Sequence, residues 1–413
     1  MRPVAALARA LSVVALALGL AWPAAAFAAQ GNQGLQGGWA IDDGGNVNFF
    51  HSASSQFPIM QSAGAGWVRV NFRLGECFQN WTISSCRSDG QTALQVYETV
   101  VTNARAKNLK VLGLLSNEAW HGNQPDWTAN NAENTAGGTG DNAYIQAFAQ
   151  SAAGPLAGKF DGTHGPLVDA WEVWNEPNAW TSNPAPGVFQ GSSYIYPSNF
   201  AWLLKRSKEA IKAARPGGVV ISGGLFAHDP GGAAMPVSEN GMTRRAVKRG
   251  DQPGARRPAT ASVSCTSSVP SGADYLCLTY QMGISKAGWQ AGSYPFDQVG
   301  QHLYVDQGRT TSSTKLKSHL QDLRNAYVAY EGSTTAKKTH VTEVGWATPP
   351  VSASVQSQNL KTAYTTFRRT SYVGRAYWFN VQDIPEGGLY FGLVDSNGVN
   401  KAAFKTYQSY AVY

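Results

Sequence analysis

The run "LVDAWEVWNEPN" (residues 167–178) joins a stretch apolar enough for a buried strand to an Asn-Glu-Pro turn. Pro177 cannot continue a central strand, so the strand is predicted to end at Asn175 and to leave Glu176 at its carboxyl end. One interpretation is an ordinary turn, because all three are common loop residues. The other is a carboxyl delivered into a cleft, where burial raises its pKa towards the range useful in acid catalysis. The second interpretation predicts another such carboxyl on a distant strand.

Seven further runs rich in β-branched or aromatic residues are predicted strands, and the chain alternates between strands, polar loops and helices. Besides residues 167–175, the predicted strands are residues 37–41, 66–72, 109–115, 218–224, 296–304, 338–344 and 374–380. Apolar residues three and four apart predict helices at residues 92–108, 143–160, 199–216, 313–332 and 356–370. This alternation predicts an α/β fold, a single (β/α)8 TIM barrel. A doubly wound open sheet is the alternative, although "GGWAIDDGGNVNFF" (37–50) lacks the G-x-G-x-x-G phosphate-binding pattern.

The first 28 residues are predicted to be a secretory signal peptide. Arg2 and Arg9 precede the apolar run "ALSVVALALGLAW", and small residues at Ala26 and Ala28 form an Ala-x-Ala cleavage site. A membrane anchor is the alternative, but the run is too short to span a bilayer. Residues 29–413 are then expected to form one secreted, extracellular catalytic barrel with no membrane association. The 43% hydrophobic and 14% charged composition is typical of a globular protein.

Four cysteines suit an oxidising compartment. Local pairing of Cys77 with Cys86 and of Cys265 with Cys277 is predicted among three possible connectivities. Neither a Cys-x-x-Cys spacing nor a cluster of histidines indicates a metal site, so no metal is predicted.

The formal charge of +7 is concentrated in part in residues 242–259, "MTRRAVKRGDQPGARRPA". A solvated loop is the expected explanation, and contact with an acidic polymer is the alternative. No motif supports nucleic-acid binding. The surrounding segment, residues 226–272, is long for a loop after strand five and is expected to hang over the cleft, either shaping the substrate groove or as a decoration.

A second carboxyl does follow a distant strand. In "THVTEVGWAT" (339–348), Glu343 ends predicted strand seven and is followed by a turn. A surface glutamate is the plain alternative. In a parallel barrel, however, working groups lie at the carboxyl ends of the strands, which would bring Glu343 and Glu176 to the same mouth. Two carboxyls there are what glycoside hydrolysis requires.

The motifs "WEVWNEPN" (171–178) and "VTEVGWAT" (341–348) together resemble clan A of the glycoside hydrolases, near its families 39 and 5. The resemblance implies a retaining β/α-barrel enzyme. Glu176 matches the acid/base glutamate and Glu343 the nucleophile. Asn175 matches an asparagine that binds the sugar 2-hydroxyl, and Arg69 matches an arginine near the nucleophile, where its charge would keep Glu343 ionised.

Three further matches lie in "QHLY" (301–304) and "AYWFN" (376–380). His302 and Tyr304 match a His-x-Tyr pair whose phenol touches the nucleophile. Trp378 matches the tryptophan that forms the floor of the sugar subsite. Glu118 and Glu172 are rival carboxylates: Glu118 is interpreted as a solvated loop residue or a ligand of sugar hydroxyls, and Glu172 as a buried partner of Arg69.

The resemblance implies a secreted retaining β-glycosidase that hydrolyses O-glycosidic bonds of a polysaccharide or oligosaccharide by double displacement. It implies no cofactor, and the protein is expected to be a monomer. A non-catalytic carbohydrate-binding barrel is the alternative, and a secreted scaffold that binds acidic polymers through residues 242–259 is a third. Trp120, Trp180 and Trp346 follow three strands and are candidate walls of the sugar subsites.

Overall fold

A computed structural model describes most of the chain after residue 30. The described residues are 31–37, 40, 53–75, 77–84, 87–120, 140–179, 193–227, 265, 272–385, 388 and 390–412. Eight parallel strands close into one barrel in which each strand pairs with its neighbours in chain order. The predicted (β/α)8 barrel is confirmed, and the open sheet is excluded. Among the described residues, no helix is long and apolar enough to cross a membrane.

The eight strands are short and almost wholly buried. They are β1 (Gly34–Gln36), β2 (Trp67–Asn71), β3 (Lys110–Leu115), β4 (Ala170–Asn175), β5 (Val219–Ala227), β6 (Val299–Leu303), β7 (Thr339–Val344) and β8 (Val373–Trp378).

Helices cover the outside of the barrel. They are α1 (Ala53–Ser62), α2 (Ala93–Ala106), α3 (Ala143–Phe148), α4 (Gly154–Lys159), α5 (Pro197–Ala214), α6 (Gly272–Ser285), α7 (Ser313–Glu331), α8 (Ala353–Arg368) and α9 (Ala402–Ala411). A 3₁₀ turn, Asn117–Ala119, follows β3, and a π-helical turn, Ala149–Ala153, separates α3 from α4. The single helix predicted over residues 143–160 is therefore interrupted. Pro155 lacks a backbone N–H, which is consistent with a wider turn just before it.

The predicted first strand, residues 37–41, is misplaced: Gly37 and Ala40 lie outside any strand, and residues 38, 39 and 41 lie outside the described residues. β1 is Gly34–Gln36, and it closes the barrel by pairing with β2 on one side and β8 on the other. Gly34 permits this position, because a Cβ atom there would lie 2.2 Å from the Tyr377 ring. The prediction relied on β-branched and aromatic residues, which this strand lacks.

The side chains inside the barrel change from apolar to charged along the strands. At the amino end it is filled by a small apolar cluster: Trp67, Leu112, Ala170, Ile221 and Tyr377. Side chains two residues further along a strand point to the same side, so Arg69 follows Trp67 into the interior and Glu172 follows Ala170. The carboxyl half of the barrel is therefore charged, and the apolar core between strands and helices surrounds it.

Some predictions fall at or beyond the edge of the described residues. The predicted Cys265–Cys277 disulfide is confirmed, with its Cα atoms 5.6 Å apart. Cys277 lies inside α6, which begins at Gly272. Cys77 is disulfide-bonded, but its predicted partner Cys86 lies outside the described residues. So do the signal peptide and the basic segment 242–259.

Candidate active site

The carboxyl ends of β4 and β7 bring Glu176 and Glu343 to the mouth of the barrel. Their nearest carboxylate oxygens and a ring nitrogen of His302 all lie within 4.8 Å of one another. The His302 Nδ1 atom is 2.8 Å from Glu176 Oε1 and 3.7 Å from Glu343 Oε2. Two glutamates 167 positions apart in the chain therefore converge on one imidazole.

Both glutamates line one cavity of about 310 Å³. Its described walls are Gln36, Gly37, Asn71, Leu114, Ser116, Asn117, Glu118, Asn175, Glu176, Ser193, Glu343, Phe379, Asn380 and Ile384. Most of these residues follow or end strands β1 to β4, β7 and β8. The cavity thus occupies the end of the barrel where working groups are expected.

Glu176 has a left-handed backbone conformation, with φ of 45°. This region is sparsely populated by residues other than glycine, and such outliers concentrate at functional sites. The Glu176 carbonyl accepts a hydrogen bond from Ser193 Oγ at 3.2 Å. The Glu176 side chain is 23% exposed, whereas that of Glu343 is 11% exposed. The two carboxyls therefore experience different environments.

Arg69 is the fully buried centre of the charged layer. Its guanidinium contacts Glu343, and its Nε donates to Glu172 Oε2 at 2.5 Å. Its Nη2 donates to Asn175 Oδ1 at 3.1 Å, and its Nη1 to Gln36 Oε1 at 2.9 Å. Burial alone would lower the pKa of Arg69, but Glu172 and Glu343 outweigh it and raise that pKa. The guanidinium stays charged beside Glu343.

Glu172 is the predicted buried partner of Arg69, and the ion pair places it there. Its second oxygen accepts a hydrogen bond from Thr342 Oγ1 at 2.7 Å. Because both of its oxygens are engaged, a fully buried carboxylate is tolerated. Glu172 compensates the charge of Arg69 at Nε, while Nη1 of the same guanidinium contacts Glu343.

Glu343 is held in its ionised form. Burial alone would raise its pKa, but His302, Arg69 and a hydrogen bond from Tyr304 together lower the pKa below its usual range. The Tyr304 hydroxyl donates to Glu343 Oε2 at 2.6 Å. A carboxylate with this set of partners is suited to act as an anion rather than as an acid.

His302 is fully buried between the two glutamates. Burial alone would lower its pKa, but the charge of Glu343 and the hydrogen bond and charge of Glu176 raise the pKa above its ordinary value. A raised pKa keeps the ring protonated up to a higher pH. Gly224 on β5 leaves room for the ring, because a Cβ atom there would lie 2.1 Å from His302 Nε2.

Replacing Gly224 with alanine is expected to displace His302 and to lower the free energy of unfolding by about 1–3 kcal/mol, because an added methyl group overpacks a filled interior. Chemical denaturation would measure the loss. Gly217→Ala is the matched control, since a Cβ atom at Gly217 meets no atom within 4 Å. Equal stability of the two variants would contradict the packing described here.

The structure brings six of the seven residues predicted for the site into one network. The exception is Trp378, which is fully buried. Its Nε1 donates to the Phe391 carbonyl at 2.9 Å, and its ring centroid lies 6.0 Å from that of Trp346. Phe379 lines the cavity instead. Successive residues at the end of a strand point to opposite sides, so the motif alone left a one-residue ambiguity.

The three tryptophans predicted as walls of the sugar subsites are not found together around the described cavity. Trp346 is fully buried, and its Nε1 donates to the Val305 carbonyl at 3.0 Å. Trp120 is half-buried and is not among the described walls of the cavity, and Trp180 lies outside the described residues.

The polar wall formed by Asn71, Ser116 and Asn117 was missed by sequence reasoning. Asn71 could have been found, because it lies two residues after Arg69 on β2 and so faces the same side. Ser116 donates to Asn71 Oδ1 at 2.9 Å. It also caps the short turn Asn117–Ala119, a local signal that carries no information about a cavity.

Glu176, His302 and Glu343 are close enough to be considered as metal ligands. The donor set does not favour a cation, however. Glu343 already accepts hydrogen bonds from Arg69 on one oxygen and from Tyr304 on the other. A metal ion would lie against a buried guanidinium, so the arrangement is better suited to moving protons.

Comparison with known proteins agrees with the fold. Residues 271–407, about a third of the chain, match the family model described as the glycosyl hydrolase catalytic core. No curated protein matches the chain in sequence.

Solved glycoside hydrolases share the barrel at low sequence identity. An endo-1,4-β-mannanase from Rhizomucor miehei is 16% identical over 92% of this chain and 93% of its own, with a TM-score of 0.52. A glucosidase from Croceicoccus marinus is 14% identical over 93% of this chain and 68% of its own, with a TM-score of 0.55. A family 39 glycoside hydrolase from Bacteroides cellulosilyticus WH2 is 14% identical over 92% of this chain, with a TM-score of 0.49. This chain spans less than two thirds of that protein, 64% of its length.

The match of residues 271–407 to a glycosyl hydrolase catalytic core, and the barrel shared with solved glycoside hydrolases, agree with the resemblance that the two glutamate motifs predicted.

Proposed function

We propose that this protein is a retaining β-glycosidase in which Glu343 is the nucleophile and Glu176 the acid/base. One observation carries the proposal: carboxylate oxygens of the two glutamates lie within 4.8 Å of each other at the mouth of the barrel. Retaining enzymes hold their carboxyls about 5–5.5 Å apart, whereas inverting enzymes leave about 6.5–9.5 Å for a water molecule. The separation here supports direct attack by a carboxylate.

In the proposed mechanism Glu343 acts first as an anion and Glu176 acts first as an acid. Glu343, beside Arg69 and Tyr304, is the anion that attacks the anomeric carbon. Glu176 gives its proton to the departing oxygen, so the C–O bond breaks as the glycosyl ester forms. Glu176, now a carboxylate, then takes a proton from water, and the water attacks the anomeric carbon and releases the sugar from Glu343. The net change is hydrolysis of one glycosidic bond.

The other predicted residues support these steps. Arg69 and Tyr304 stabilise the negative charge of Glu343 when it leaves at the end of the second step. His302 contacts Glu176 and orients it. Asn175 presents its amide to the cavity while its Oδ1 is held by Arg69, which positions the amide nitrogen to donate to a sugar hydroxyl. Phe379 takes the role of an apolar floor that the motif assigned to Trp378.

The proposed substrate is a polysaccharide or oligosaccharide, and the reaction uses no cofactor. We further propose that residues 1–28 are removed as a signal peptide and that residues 29–413 act as a secreted monomer. The confirmed disulfide is compatible with an oxidising compartment. A glycan-binding barrel without turnover is the alternative, and the convergence of Glu176 and Glu343 on one cavity favours catalysis over it.

Hydrolysis of a panel of aryl β-glycosides and polysaccharides, followed by NMR of the first anomer released, tests the proposal. We expect cleavage of at least one substrate with a β-configured first product. Binding of a glycan without release of product would support the non-catalytic alternative. Release of an α-configured first product would reject the retaining mechanism.

Replacing Tyr304 with phenylalanine is expected to lower kcat/KM by about 10- to 100-fold, because Glu343 loses a charge-stabilising hydrogen bond. The tyrosine contributes to the lowered pKa of Glu343. Loss of the Tyr304 hydroxyl should raise the pKa of Glu343. The acidic limb of the pH profile should therefore move to a higher pH. The pH profile of kcat/KM for both proteins measures the shift. An acidic limb that stays in place would show that Tyr304 does not control the ionisation of Glu343.

A further inference from the structure

A third carboxylate, Glu118, lies in the wall of the same cavity. It belongs to the short turn after β3, between the strand that carries Asn71 and the strand that ends before Glu176. The order of strands in the barrel therefore places Glu118 beside the catalytic carboxyls, on the side of β2 and β3.

The Glu118 carboxylate is held in one orientation. Its Oε1 pairs with Arg73 Nη2 at 2.6 Å, and its Oε2 accepts from Asn71 Nδ2 at 2.8 Å. The Arg73 side chain is 7% exposed, whereas that of Glu118 is 34% exposed. The positive partner is thus buried behind the carboxylate, and the carboxylate itself faces the cavity.

This arrangement leaves Glu118 with unused acceptor capacity. An ionised carboxylate has about four lone-pair positions. Arg73 and Asn71 each take one, and Ser116 Oγ at 3.5 Å is at the limit of a third contact. A fixed carboxylate with open lone pairs is a good acceptor for two neighbouring hydroxyl groups, because the protein needs no further ordering when they bind.

The charge of the cavity's described walls bears on which sugars it accepts. Its described walls contain three carboxylates, Glu118, Glu176 and Glu343, and no lysine, arginine or histidine. Arg69 lies beneath the walls and is fully buried. A uronic acid that presented its carboxylate to Glu118 would meet a like charge at short range. An uncharged sugar meets no such penalty.

We propose that Glu118 is a specificity-determining residue that binds adjacent hydroxyls of an uncharged sugar and disfavours uronic acids. The proposal rests on the glycosidase function, because it places Glu118 in the substrate cavity of that reaction. Glu118 takes no part in bond breaking. Its contribution is to binding the sugar in the cavity, so it should act on every substrate that offers the correct pair of hydroxyls.

The test combines a protein variant with altered substrates. Aryl glycosides of the best-cleaved mono- and disaccharide are prepared with single hydroxyls removed, and kcat/KM is measured for the parent protein and Glu118→Gln. Glu118→Gln is expected to lose about 10- to 100-fold with the complete substrate. With the one or two deoxy substrates that lack the bound hydroxyls, the same replacement should cost little. A merely structural role would reduce activity equally on every substrate.

Glu98→Gln is the matched control. Glu98 is also part-exposed and ion-paired, with Lys159 at 2.9 Å, but it lies on the outer helix α2. Glu98→Gln should leave kcat/KM unchanged. The parent protein should also prefer a neutral substrate to its uronic-acid counterpart, and Glu118→Gln should narrow that preference.

The outcomes separate the two proposals. Equal losses on all deoxy substrates, or an unchanged neutral-to-uronate preference, would overturn the role of Glu118 while leaving the glycosidase assignment in place. A parent protein that cleaves no substrate of the panel would overturn both.

Discussion

Replacement of Glu343 with alanine is expected to lower kcat by about 10⁴-fold or more, because the variant lacks the carboxylate that forms the glycosyl ester. The variant should keep its fold. The Glu343 side chain lines the cavity, and Arg69 keeps its ion pair with Glu172 when Glu343 is removed, so the buried guanidinium stays compensated. The acceptors lost to Arg69 and Tyr304 can be replaced by water entering from the cavity.

Azide or formate should restore part of the activity of Glu343→Ala. A small anion occupies the space left by the side chain and attacks the anomeric carbon from the same side, while Glu176 still protonates the leaving group. With azide and an aryl β-glycoside, the expected product is the α-glycosyl azide, identified by NMR. Glu209→Ala, at an exposed glutamate on α5, serves as the control and should behave as the parent protein. A Glu343→Ala variant with near-parent activity would remove Glu343 from the mechanism.

Replacement of Glu176 with alanine should give a different pattern, because this residue acts once as an acid and once as a base. General acid catalysis contributes about 10²- to 10⁴-fold, and the loss should be largest for substrates with poor leaving groups. Aryl glycosides whose phenol leaves easily should still form the glycosyl ester and should then show a burst of phenol release. Steady-state turnover should remain slow, since no base activates water.

Azide again provides the distinguishing measurement. With Glu176→Ala it should accelerate the second step and give the β-glycosyl azide, the opposite anomer from that expected with Glu343→Ala. Identical anomers from the two variants would be incompatible with the assigned roles. Equal losses for good and poor leaving groups would argue that Glu176 does not donate the proton.

The fold could be predicted largely because buried parallel strands are near-continuous apolar runs, which stand out in a sequence. Seven of the eight strands were placed to within a few residues, for example Thr339–Val344 against the predicted 338–344. The position of β1 was not predicted, because three residues with a glycine at the start carry no strand propensity of their own. Its pairing with β2 and β8 depends on barrel closure, a long-range condition that no local pattern contains.

Part of the candidate site could be predicted, because the carboxyl ends of all strands in a parallel barrel lie at the same mouth. That rule brings Glu176 and Glu343 together, and alternation along β2 and β4 directs Arg69 and Glu172 inwards. The identity of the apolar floor was not accessible in the same way. Trp378 and Phe379 are adjacent aromatic residues at the end of β8, and only the local backbone decides which of them faces the cavity.

The balance of charge in the barrel could not be read from the sequence either. It depends on how Arg69 divides its hydrogen bonds between Glu172 and Asn175 of β4 and Glu343 of β7. The lowered pKa of Glu343 follows from that division together with His302 and Tyr304. Spacing along the chain can nominate such residues, but distances between their atoms decide their chemistry.

The most direct measurement is to trap the glycosyl ester and locate it. An activated 2-deoxy-2-fluoro β-glycoside of the sugar that the protein cleaves would slow the second step, and proteolysis with mass spectrometry would then find the labelled peptide. The account predicts one sugar per protein, attached to Glu343. A label on another carboxylate, or a fully active protein that never accumulates a covalent sugar, would contradict it.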